Sequence, residues 1–236
     1  MSTKGKLYLV PTPIGNLEDI TIRAIRILGE VDIIACEDTR RTGQLISKLQ
    51  IQKKKFISYH DYNESRRTNK LIDSLNEGQS VAVVSDAGSP GISDPGFRII
   101  RSAIENDIEI IPLPGPTSVI PALTASGLPT DRFFFEGYLS HKSSGRKKRL
   151  EEIKNISHTL LFFESPHRLV KSLNDIYEIL GDRRACVARE MTKIHEQFVR
   201  GTISEILEQL SNMTVKGEIV IVVEGKIEPK GSKKQK

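Results

Sequence analysis

Short apolar runs alternate with amphipathic segments along the first half of the chain. The apolar runs lie near residues 7–11, 32–36, 80–85 and 108–112, and segments with helical periodicity lie near 21–29, 39–49, 64–77 and 96–106. This alternation is typical of parallel strands joined by crossover helices. The first half is therefore predicted to form a parallel sheet with helices packed on it.

The second half shows a similar alternation without repeating the sequence of the first. Strand-like runs lie near 132–137, 159–163, 185–189 and 218–223, and helical patterns lie near 144–154, 166–180 and 202–210. Prolines at positions 112, 114 and 116 separate the halves, because proline disrupts helix interiors and central strands. We expect an α/β domain over residues 1–114, a second over 115–225 with a short apolar helix opening at Ser118, and a basic disordered tail over 226–236.

Turn-forming residues follow the predicted strands of the first half. These segments read PTPIGNL at 11–17, EDTR at 37–40, SDAGSPGISDPG at 85–96 and PGPTS at 114–118. The carboxyl ends of parallel strands meet at one edge of a sheet, where α/β folds bind ligands. The four segments are therefore predicted to line one crevice. A tight surface turn is the alternative for the glycine-rich segment alone.

The excess of positive charge lies in the second half. The chain has 236 residues and a net charge of +5; residues 1–116 hold 15 basic and 15 acidic side chains, whereas residues 117–236 hold 20 and 15. The sequence HKSSGRKKR at 141–149 and the lysine-rich tail concentrate this charge. Such a pattern suits a mobile arm that neutralises phosphates, and a solubilising loop with a frayed terminus is the alternative.

Several function classes lack their motifs. There is no GxGxxG after the first strand and no GxxxxGK[ST], which argues against dinucleotide and P-loop sites. No HExxH, paired CxxC or dense carboxylate cluster indicates a metal. The longest apolar stretches fall far below the roughly 20 residues of a membrane span, and no signal-peptide core is evident, so a cytoplasmic protein is expected. Cys36 and Cys186 are predicted to be buried reduced thiols.

Because these motifs are missing, we expect the crevice to hold its ligand mainly through main-chain groups and one or two carboxylates. A nucleoside conjugate without a triphosphate fits this description. A longer set of motifs adds to this picture: VPTPIGNLEDIT at 10–21, EDTR at 37–40, SDAGSPGISDPG at 85–96, PLPGPTSVIPALTASGLP at 112–129, FFESPHR at 162–168 and RGT at 200–202. From residue 6 to about 224 the chain resembles the tetrapyrrole methylase superfamily and, within it, the ribosomal RNA small subunit methyltransferase I family.

The resemblance implies a fold of two α/β domains with S-adenosylmethionine bound in the cleft between them, in a homodimer. It also implies 2′-O-methylation of a cytidine ribose in the decoding region of 16S rRNA, either free or in the small ribosomal subunit. The cofactor-binding residues that it implies are Pro13, Gly15, Asp86, Ala87, Gly88, Ile92, Ser93, Asp94, Thr117, Ser118, Phe163, Glu164 and Glu218, with main-chain contacts expected near Phe163 and Glu164.

The proton acceptor is left open by the sequence. A ribose hydroxyl is a poor nucleophile until it loses its proton, so a base or an alkoxide-stabilising cation is expected. His60 is one candidate, and Asp38 with Arg40 is another; Glu190 and Lys193 also follow a strand. A helix-start histidine and a structural Asp38–Arg40 pair are the competing interpretations.

The predicted RNA contacts are Arg146, Lys147 and Arg149, with residues 53–55 as an extension. Two rival functions use the same sequence features differently. A methyltransferase acting on a tetrapyrrole needs a broad apolar trough instead of a basic segment, and a noncatalytic RNA-binding protein of the ribosome needs no cofactor. A nucleotide hydrolase is disfavoured by the missing phosphate and metal motifs.

Overall fold

A computed structural model describes residues 4–52, 54–211 and 213–227. The chain divides into two compact units on either side of the Thr117–Ser118 bond. Lys53 and most of the predicted basic tail, residues 228–236, lie outside the described residues.

The first unit contains five strands and four α-helices among its described residues, in alternating order. The elements are β1 (Leu7–Leu9), α1 (Ile22–Glu30), β2 (Ile33–Cys36), α2 (Thr39–Lys48), β3 (Lys55–Ser58), α3 (Glu64–Asn76), β4 (Val81–Val84), α4 (Phe97–Glu105) and β5 (Ile110–Pro112). All pairings are parallel, in the order β3-β2-β4-β1-β5. The predicted parallel sheet is confirmed, with β3 as a strand that the apolar pattern did not predict.

Side-chain alternation in the strands divides the core of the first unit between two faces. Val81 and Val83 pack with residues of α3 and α4, whereas Ala82 packs with residues of α1 and α2. Since neighbouring residues of a strand point to opposite faces, each face of the sheet is covered by one helix pair. The central strands β2 and β4 are buried along their whole length.

Capping side chains fix where two helices of the first unit begin. The Thr21 hydroxyl accepts the backbone N–H of Ala24 at 3.0 Å, and Asp38 Oδ1 accepts that of Arg40 at 2.8 Å. Both bonds satisfy N–H groups that the first turn of a helix leaves without a partner. The cap at Asp38 therefore fixes the start of α2 at Thr39, three residues after the end of β2 at Cys36.

The second unit contains α5 (Val119–Ser126), β6 (Phe133–Tyr138), α6 (Ser143–Ile153), β7 (Thr159–Glu164), α7 (Leu169–Leu180), β8 (Arg184–Arg189), β9 (Gln197–Thr202), α8 (Ile203–Ser211) and β10 (Ile219–Val223). Its sheet has the order β6-β7-β10-β8-β9 and is mixed: β6 and β7 are parallel, and the other pairs are antiparallel. The predicted fold class of two α/β domains is confirmed. The hairpin strand β9 was not predicted.

Three further sequence predictions can be compared with the fold. The short apolar helix expected from Ser118 onward is α5. The helix predicted near residues 144–154 is α6, and because this helix includes most of the basic segment 141–149, the interpretation of that segment as a mobile arm is corrected. Both cysteines are buried and unoxidised, and burial raises the pKa of each thiol to about 11.

Within the described ranges, no helix combines the length and apolar character that crossing a membrane requires.

Candidate functional site

The loops that follow the five parallel strands of the first unit emerge at one edge of its sheet. β1 and β4 are neighbours, yet the chain leaves β1 toward β2 and leaves β4 toward β5, in opposite directions across the sheet. Ligands bind in α/β folds at such a switch point, outside the carboxyl ends of the strands. The predicted convergence of these loops is therefore confirmed within the first unit.

A backbone bridge joins the loops after β1 and β4. Thr12 and Gly88 exchange two N–H···O bonds, each 2.9 Å long. The Thr12 hydroxyl donates to the Ser85 carbonyl at 3.0 Å, and the Ser85 hydroxyl donates to the Gly88 carbonyl at 2.9 Å. Gly88 has φ +82°, a conformation that glycine adopts without a steric penalty. The Gly88 N–H is thus engaged in the bridge between the two loops. A contact between Gly88 and a ligand, as the sequence analysis predicted, would have to use other atoms of this segment.

Asp86 joins the same segment to the loop after β2. Its Oδ1 accepts the backbone N–H of Asp38 at 3.2 Å, and its Oδ2 lies 3.2 Å from the guanidinium of Arg41. The side chain of Asp86 is 23% exposed. Because each carboxylate oxygen has more than one acceptor site, these bonds leave capacity for a ligand hydroxyl or cation.

Glu37 is a candidate that the sequence analysis missed. It comes directly after the buried strand β2, and its Oε1 is buried without a hydrogen-bond partner among the described residues. Burial, followed by the charges of Asp94 and Asp86, raises the pKa of Glu37 to about 7. A carboxyl that titrates near neutrality at such an edge is typical of acid–base sites. The sequence signals were its position at the carboxyl end of a buried strand and its place in the EDTR segment at 37–40.

Asp94 lies in the same electrostatic environment. Burial, then the charges of Asp86 and Asp61, raise its pKa to about 6. Four carboxyl groups from three loops therefore influence one another at this edge: Glu37, Asp61, Asp86 and Asp94. Their negative charges produce a negative potential at this edge of the first unit, and that potential raises the pKa values of Glu37 and Asp94. Among the described residues, no group of three or more metal-ligating side chains could hold a metal ion.

Asp38 and Arg40 are paired as the structural interpretation predicted. Arg40 donates to Asp38 through Nε at 3.2 Å and through Nη2 at 3.0 Å. Hydrogen bonds from the Arg40 side chain and backbone lower the pKa of Asp38 to about 2. Asp38 is therefore a weak proton acceptor, whereas the side chain of Arg40 is 88% exposed.

His60 follows β3, an edge strand, and its ring is engaged locally. Asn63 accepts the His60 backbone N–H through Oδ1 at 3.0 Å, which fixes the orientation of the Asn63 amide. The Asn63 Nδ2 then lies 2.9 Å from His60 Nε2 and 3.2 Å from the Ser58 carbonyl. In this arrangement Nε2 accepts a hydrogen bond and Nδ1 carries the proton. In this tautomer the acceptor nitrogen of His60 is occupied, and Nδ1 is buried without a hydrogen-bond partner among the described residues.

The remaining predicted cofactor residues of the first unit lie in the loops at the same edge. Pro13, Ala87, Asp94 and Thr117 are partly buried, whereas Gly15, Ile92 and Ser93 are exposed. Ser93 has φ +60°, which marks a tight bend in the segment after β4. Ser118 begins the second unit at the N-cap of α5, where its side chain makes no capping bond.

The second-unit residues meet at one edge of the second sheet. Glu164 ends β7 and is paired in register with Ile219, so Glu218 lies beside it. The Glu164 side chain is 1% exposed; it is 3.1 Å from Arg168 and accepts the Ser165 N–H at 2.7 Å and the Ser172 hydroxyl. The side chain of Glu164 is therefore not available to a ligand. The Phe163 ring lies partly exposed beside it, 4.9 Å from the ring of Phe135.

Glu190 and Lys193, the other proton-transfer candidates, form an ion pair. Lys193 Nζ lies 2.8 Å from Glu190 and 3.2 Å from Glu218, whose side chain is 69% exposed. The Glu190 carboxylate also accepts the Glu218 N–H at 3.1 Å. These contacts lower the pKa of Glu190, mainly through the hydrogen bond from Lys193. The pair therefore has a structural role at the start of β10.

The three predicted RNA contacts differ in exposure. Arg146 is 3% exposed and donates to Asp175 of α7 at 2.7 Å, so the structure corrects the prediction that it contacts phosphate. Lys147 and Arg149 are 34% and 40% exposed. Lys147 pairs with Glu178 at 2.6 Å, and Arg149 pairs with Glu136 at 2.7 Å.

Comparison with known proteins identifies the class of this fold. The family model described as Tetrapyrrole (Corrin/Porphyrin) Methylases matches residues 6–207. A solved structure described as uroporphyrin-III C-methyl transferase from Thermus thermophilus complexed with S-adenyl homocysteine has a TM-score of 0.62 and 20% identity, covering 92% of this chain and 97% of that chain. The two-unit fold is thus that of a methylase.

Curated relatives place the chain in one branch of this methylase class. "Ribosomal RNA small subunit methyltransferase I" of Halalkalibacterium halodurans is 50% identical over 229 residues, covering 96% of this chain and 79% of the relative. The protein of the same name from Synechocystis sp. is 50% identical over 222 residues, with coverages of 94% and 79%. The chain belongs to the tetrapyrrole methylase family and, within it, to the ribosomal RNA small subunit methyltransferase I family. The resemblance found in the sequence is confirmed.

Proposed function

We propose that this protein transfers the methyl group of S-adenosylmethionine to the ribose 2′-hydroxyl of a cytidine in the decoding region of 16S rRNA. The observation that carries the proposal is the 50% identity, over 96% of the chain, to a relative named for small-subunit rRNA methylation. The loop-lined edge of the first sheet supplies the site. We further propose that the protein acts in the cytoplasm as a homodimer.

The carboxyl cluster suits the charge of this cofactor. The raised pKa values of Glu37 and Asp94 show that their ionised forms are disfavoured by burial and by neighbouring carboxylates. A ligand that carries a sulfonium and an ammonium group would relieve that repulsion. When bound, S-adenosylmethionine supplies an electrophilic methyl carbon on a positively charged sulfur. The residues present therefore fit the cofactor.

The contacts that we propose follow from accessibility. Asp86 would accept a ligand hydroxyl or face a cation, because its oxygens retain acceptor capacity. In the same unit, the loop residues that would surround the cofactor are Pro13, Gly15, Ala87, Ile92, Ser93, Asp94 and Thr117, with Gly88 holding the loops together. In the second unit, the cofactor contacts that we propose are Ser118, Glu218 and the main chain at Phe163 and Glu164.

Glu37 is the proton acceptor that the geometry favours. Its buried Oε1 has no partner among the described residues, and its pKa of about 7 matches proton transfer near neutrality. Asp38 is held ionised by Arg40, and the acceptor nitrogen of His60 is occupied by Asn63. Proper positioning of the hydroxyl adds to the acceleration, since effective molarities on the order of 10⁵ M are reached by well-oriented groups.

RNA phosphates would contact exposed cations on both units. Arg40 extends from the edge of the first sheet, and Lys147 and Arg149 lie on α6 of the second unit. Arg146 is excluded from this set by its burial. The ion pair of Lys147 with Glu178 is exposed and therefore weak, so Lys147 can exchange that carboxylate for a phosphate oxygen at little cost. Arg149 is 40% exposed and would contact phosphate while it remains paired with Glu136.

Methyl transfer to defined substrates tests the proposal. The protein is incubated with methyl-labelled S-adenosylmethionine and either 16S rRNA, purified small subunits or a tetrapyrrole, and the modified RNA position is mapped. We expect label on a cytidine ribose in the decoding region. Label on a base, on the tetrapyrrole, or on none of the substrates contradicts the proposal. Absence of any cofactor-dependent rise in melting temperature favours a noncatalytic protein.

A further inference from the structure

A groove between α3 and α4 of the first unit contains none of the residues discussed so far. Its volume is about 410 Å³. Ser65, Thr68 and Asn69 line it from α3, and Phe97, Arg98, Arg101 and Ser102 line it from α4. Since α1 and α2 cover the opposite face of the sheet, this groove lies on a single helix pair.

The groove begins at the same sheet edge as the candidate site. α3 starts after the loop that follows β3, and α4 starts after the loop that follows β4. Glu64 fixes these two starts together: its Oε1 accepts the Gly96 N–H at 3.2 Å and the Tyr59 hydroxyl at 3.0 Å. Its Oε2 lies 3.2 Å from Arg98 Nε. The groove therefore begins next to the loops of the candidate site.

The chemistry of the groove suits a nucleic acid strand. The side chains of Arg98 and Arg101 are 61% and 69% exposed. The printed contacts of both ion pairs, with Glu64 and Glu105, are made through Nε, and each guanidinium has further N–H donors that can bind other acceptors. Arginine binds phosphate through such paired N–H groups.

Two aromatic rings are exposed, one in the groove on α4 and one in the loop before α3. Phe97 is 69% exposed at the first position of α4, and Tyr62 is 99% exposed in the loop before α3. Exposed rings beside arginines are typical platforms for unstacked bases, because every base has a flat apolar face. The α3 surface adds Arg66 and Lys70, both exposed.

We propose that this groove binds the RNA strand adjacent to the methylated nucleotide, with phosphates on Arg98 and Arg101 and an unstacked base on Phe97. This inference rests on the proposed function, because it requires an RNA substrate. The side chains of Ser65 and Asn69 supply hydroxyl and amide groups for sugar and phosphate oxygens along the same groove.

Two charge reversals of equal size test the inference. Arg101 pairs with Glu105 on α4, and Arg26 pairs with Glu30 on α1 of the opposite face; both pairs have i,i+4 spacing. The affinity of the full chain for 16S rRNA is measured against salt concentration for R101E and R26E. We expect R101E to weaken binding about tenfold at 0.15 M salt and to reduce the salt slope by about 0.7, the value for one phosphate of a single strand. R26E should leave both nearly unchanged.

Phe97→Ala tests the aromatic contact separately. We expect about tenfold weaker binding with an unchanged salt slope, since stacking releases no counterions. Melting temperature and S-adenosylmethionine affinity, measured for every variant, should match the unsubstituted protein and so show that the fold and the cofactor site are intact.

The outcomes separate the two proposals. Equal effects of R101E and R26E, or normal RNA affinity of F97A, overturn the groove assignment and leave the proposed function standing. A change in oligomeric state with unchanged RNA affinity shows that the groove is an interface between copies and also overturns it. Failure of the unsubstituted protein to bind rRNA or small subunits overturns the proposed function itself.

Discussion

Asp86 Oδ1 accepts the backbone N–H of Asp38 across 3.2 Å, which joins the loops that follow β4 and β2. The two strands are neighbours in the first sheet, so this bond holds the segment after β4 against the start of α2. The other Asp86 oxygen faces Arg41 at 3.2 Å. One carboxylate therefore both shapes the candidate site and contributes to its negative charge.

Substitution of Asp86 should separate these two roles. We expect Asp86→Ala to weaken S-adenosylmethionine binding by at least about tenfold, because the loops lose a charge-assisted hydrogen bond and the ligand loses an anionic acceptor. Asp86→Asn keeps an oxygen for the Asp38 N–H and should have an intermediate effect. Titration calorimetry measures both, with Arg41→Ala as the control that keeps the carboxylate. Wild-type affinity of the alanine variant contradicts the assignment.

Glu37 should make the protein less stable as the pH rises. Its pKa is about 7 in the folded chain, against an ordinary value of 4.5, so the folded state holds a proton that the unfolded state releases between these values. The free energy of unfolding therefore falls with rising pH in that window. Glu37→Gln removes this loss: the variant should be more stable than the unsubstituted protein by on the order of 2 kcal/mol at pH 8 and nearly equal at pH 4. Urea unfolding at both pH values measures the difference, and a pH-independent difference contradicts the raised pKa.

Cofactor affinity should rise with pH over the same range. Glu37 and Asp94, with pKa values of about 7 and about 6, become negative as the pH increases, which strengthens their attraction for a cationic ligand. We expect S-adenosylmethionine affinity to increase from pH 5 to pH 7.5 and binding to release protons. Calorimetry in buffers of different ionisation enthalpy measures that release. The rise should be smaller in Glu37→Gln and in Asp94→Asn; an unchanged rise in both places the ligand away from these groups.

The proton-acceptor role of Glu37 is tested by the pH dependence of the rate. We expect Glu37→Gln to lower kcat by about 10²-fold or more and to remove the ascending limb of its pH profile. His60→Ala is the comparison, because the acceptor nitrogen of His60 is occupied by Asn63 and the variant should keep that limb. Loss of the limb in His60→Ala alone assigns proton transfer to the histidine instead.

The α6 cations should divide into one structural and two surface residues. Arg146→Ala leaves the buried Asp175 without its main partner, so we expect a loss of about 3–5 kcal/mol in the free energy of unfolding. Lys147→Ala should cost less than about 1 kcal/mol, because its ion pair with Glu178 is exposed. Arg149→Ala should cost more, on the order of 2 kcal/mol, because Arg149 makes two hydrogen bonds to the largely buried Glu136. The double variant of Lys147 and Arg149 should also flatten the salt dependence of rRNA binding. Urea unfolding and RNA titration measure these effects, and a mild Arg146→Ala would contradict the buried pair.

Local sequence chemistry was sufficient for much of the first unit. The apolar run 80–85 contains β4, and the glycines, prolines and aspartates behind it form an irregular segment that joins the loop after β1. Its convergence with the other loops follows from parallel pairing, because parallel strands all end at one edge. β3 was missed since Lys55–Ser58 contains only two apolar residues, Phe56 and Ile57, and its pairing with β2 supplies the rest.

The sequence by itself determined most of the strands and helices, with β3 and β9 as exceptions, and its motifs determined the family, because periodicity and turn chemistry depend on neighbouring residues. Only the tertiary structure decided the environment of individual side chains. Arg146 and Lys147 are adjacent basic residues, yet only Arg146 is buried against Asp175, from a helix 29 positions away. The pKa of Glu37 is raised to about 7 because the fold buries this side chain and, in addition, brings Asp94 and Asp86 close to it from distant parts of the sequence. Burial and electrostatic potential sum over everything nearby in space, which no local pattern contains.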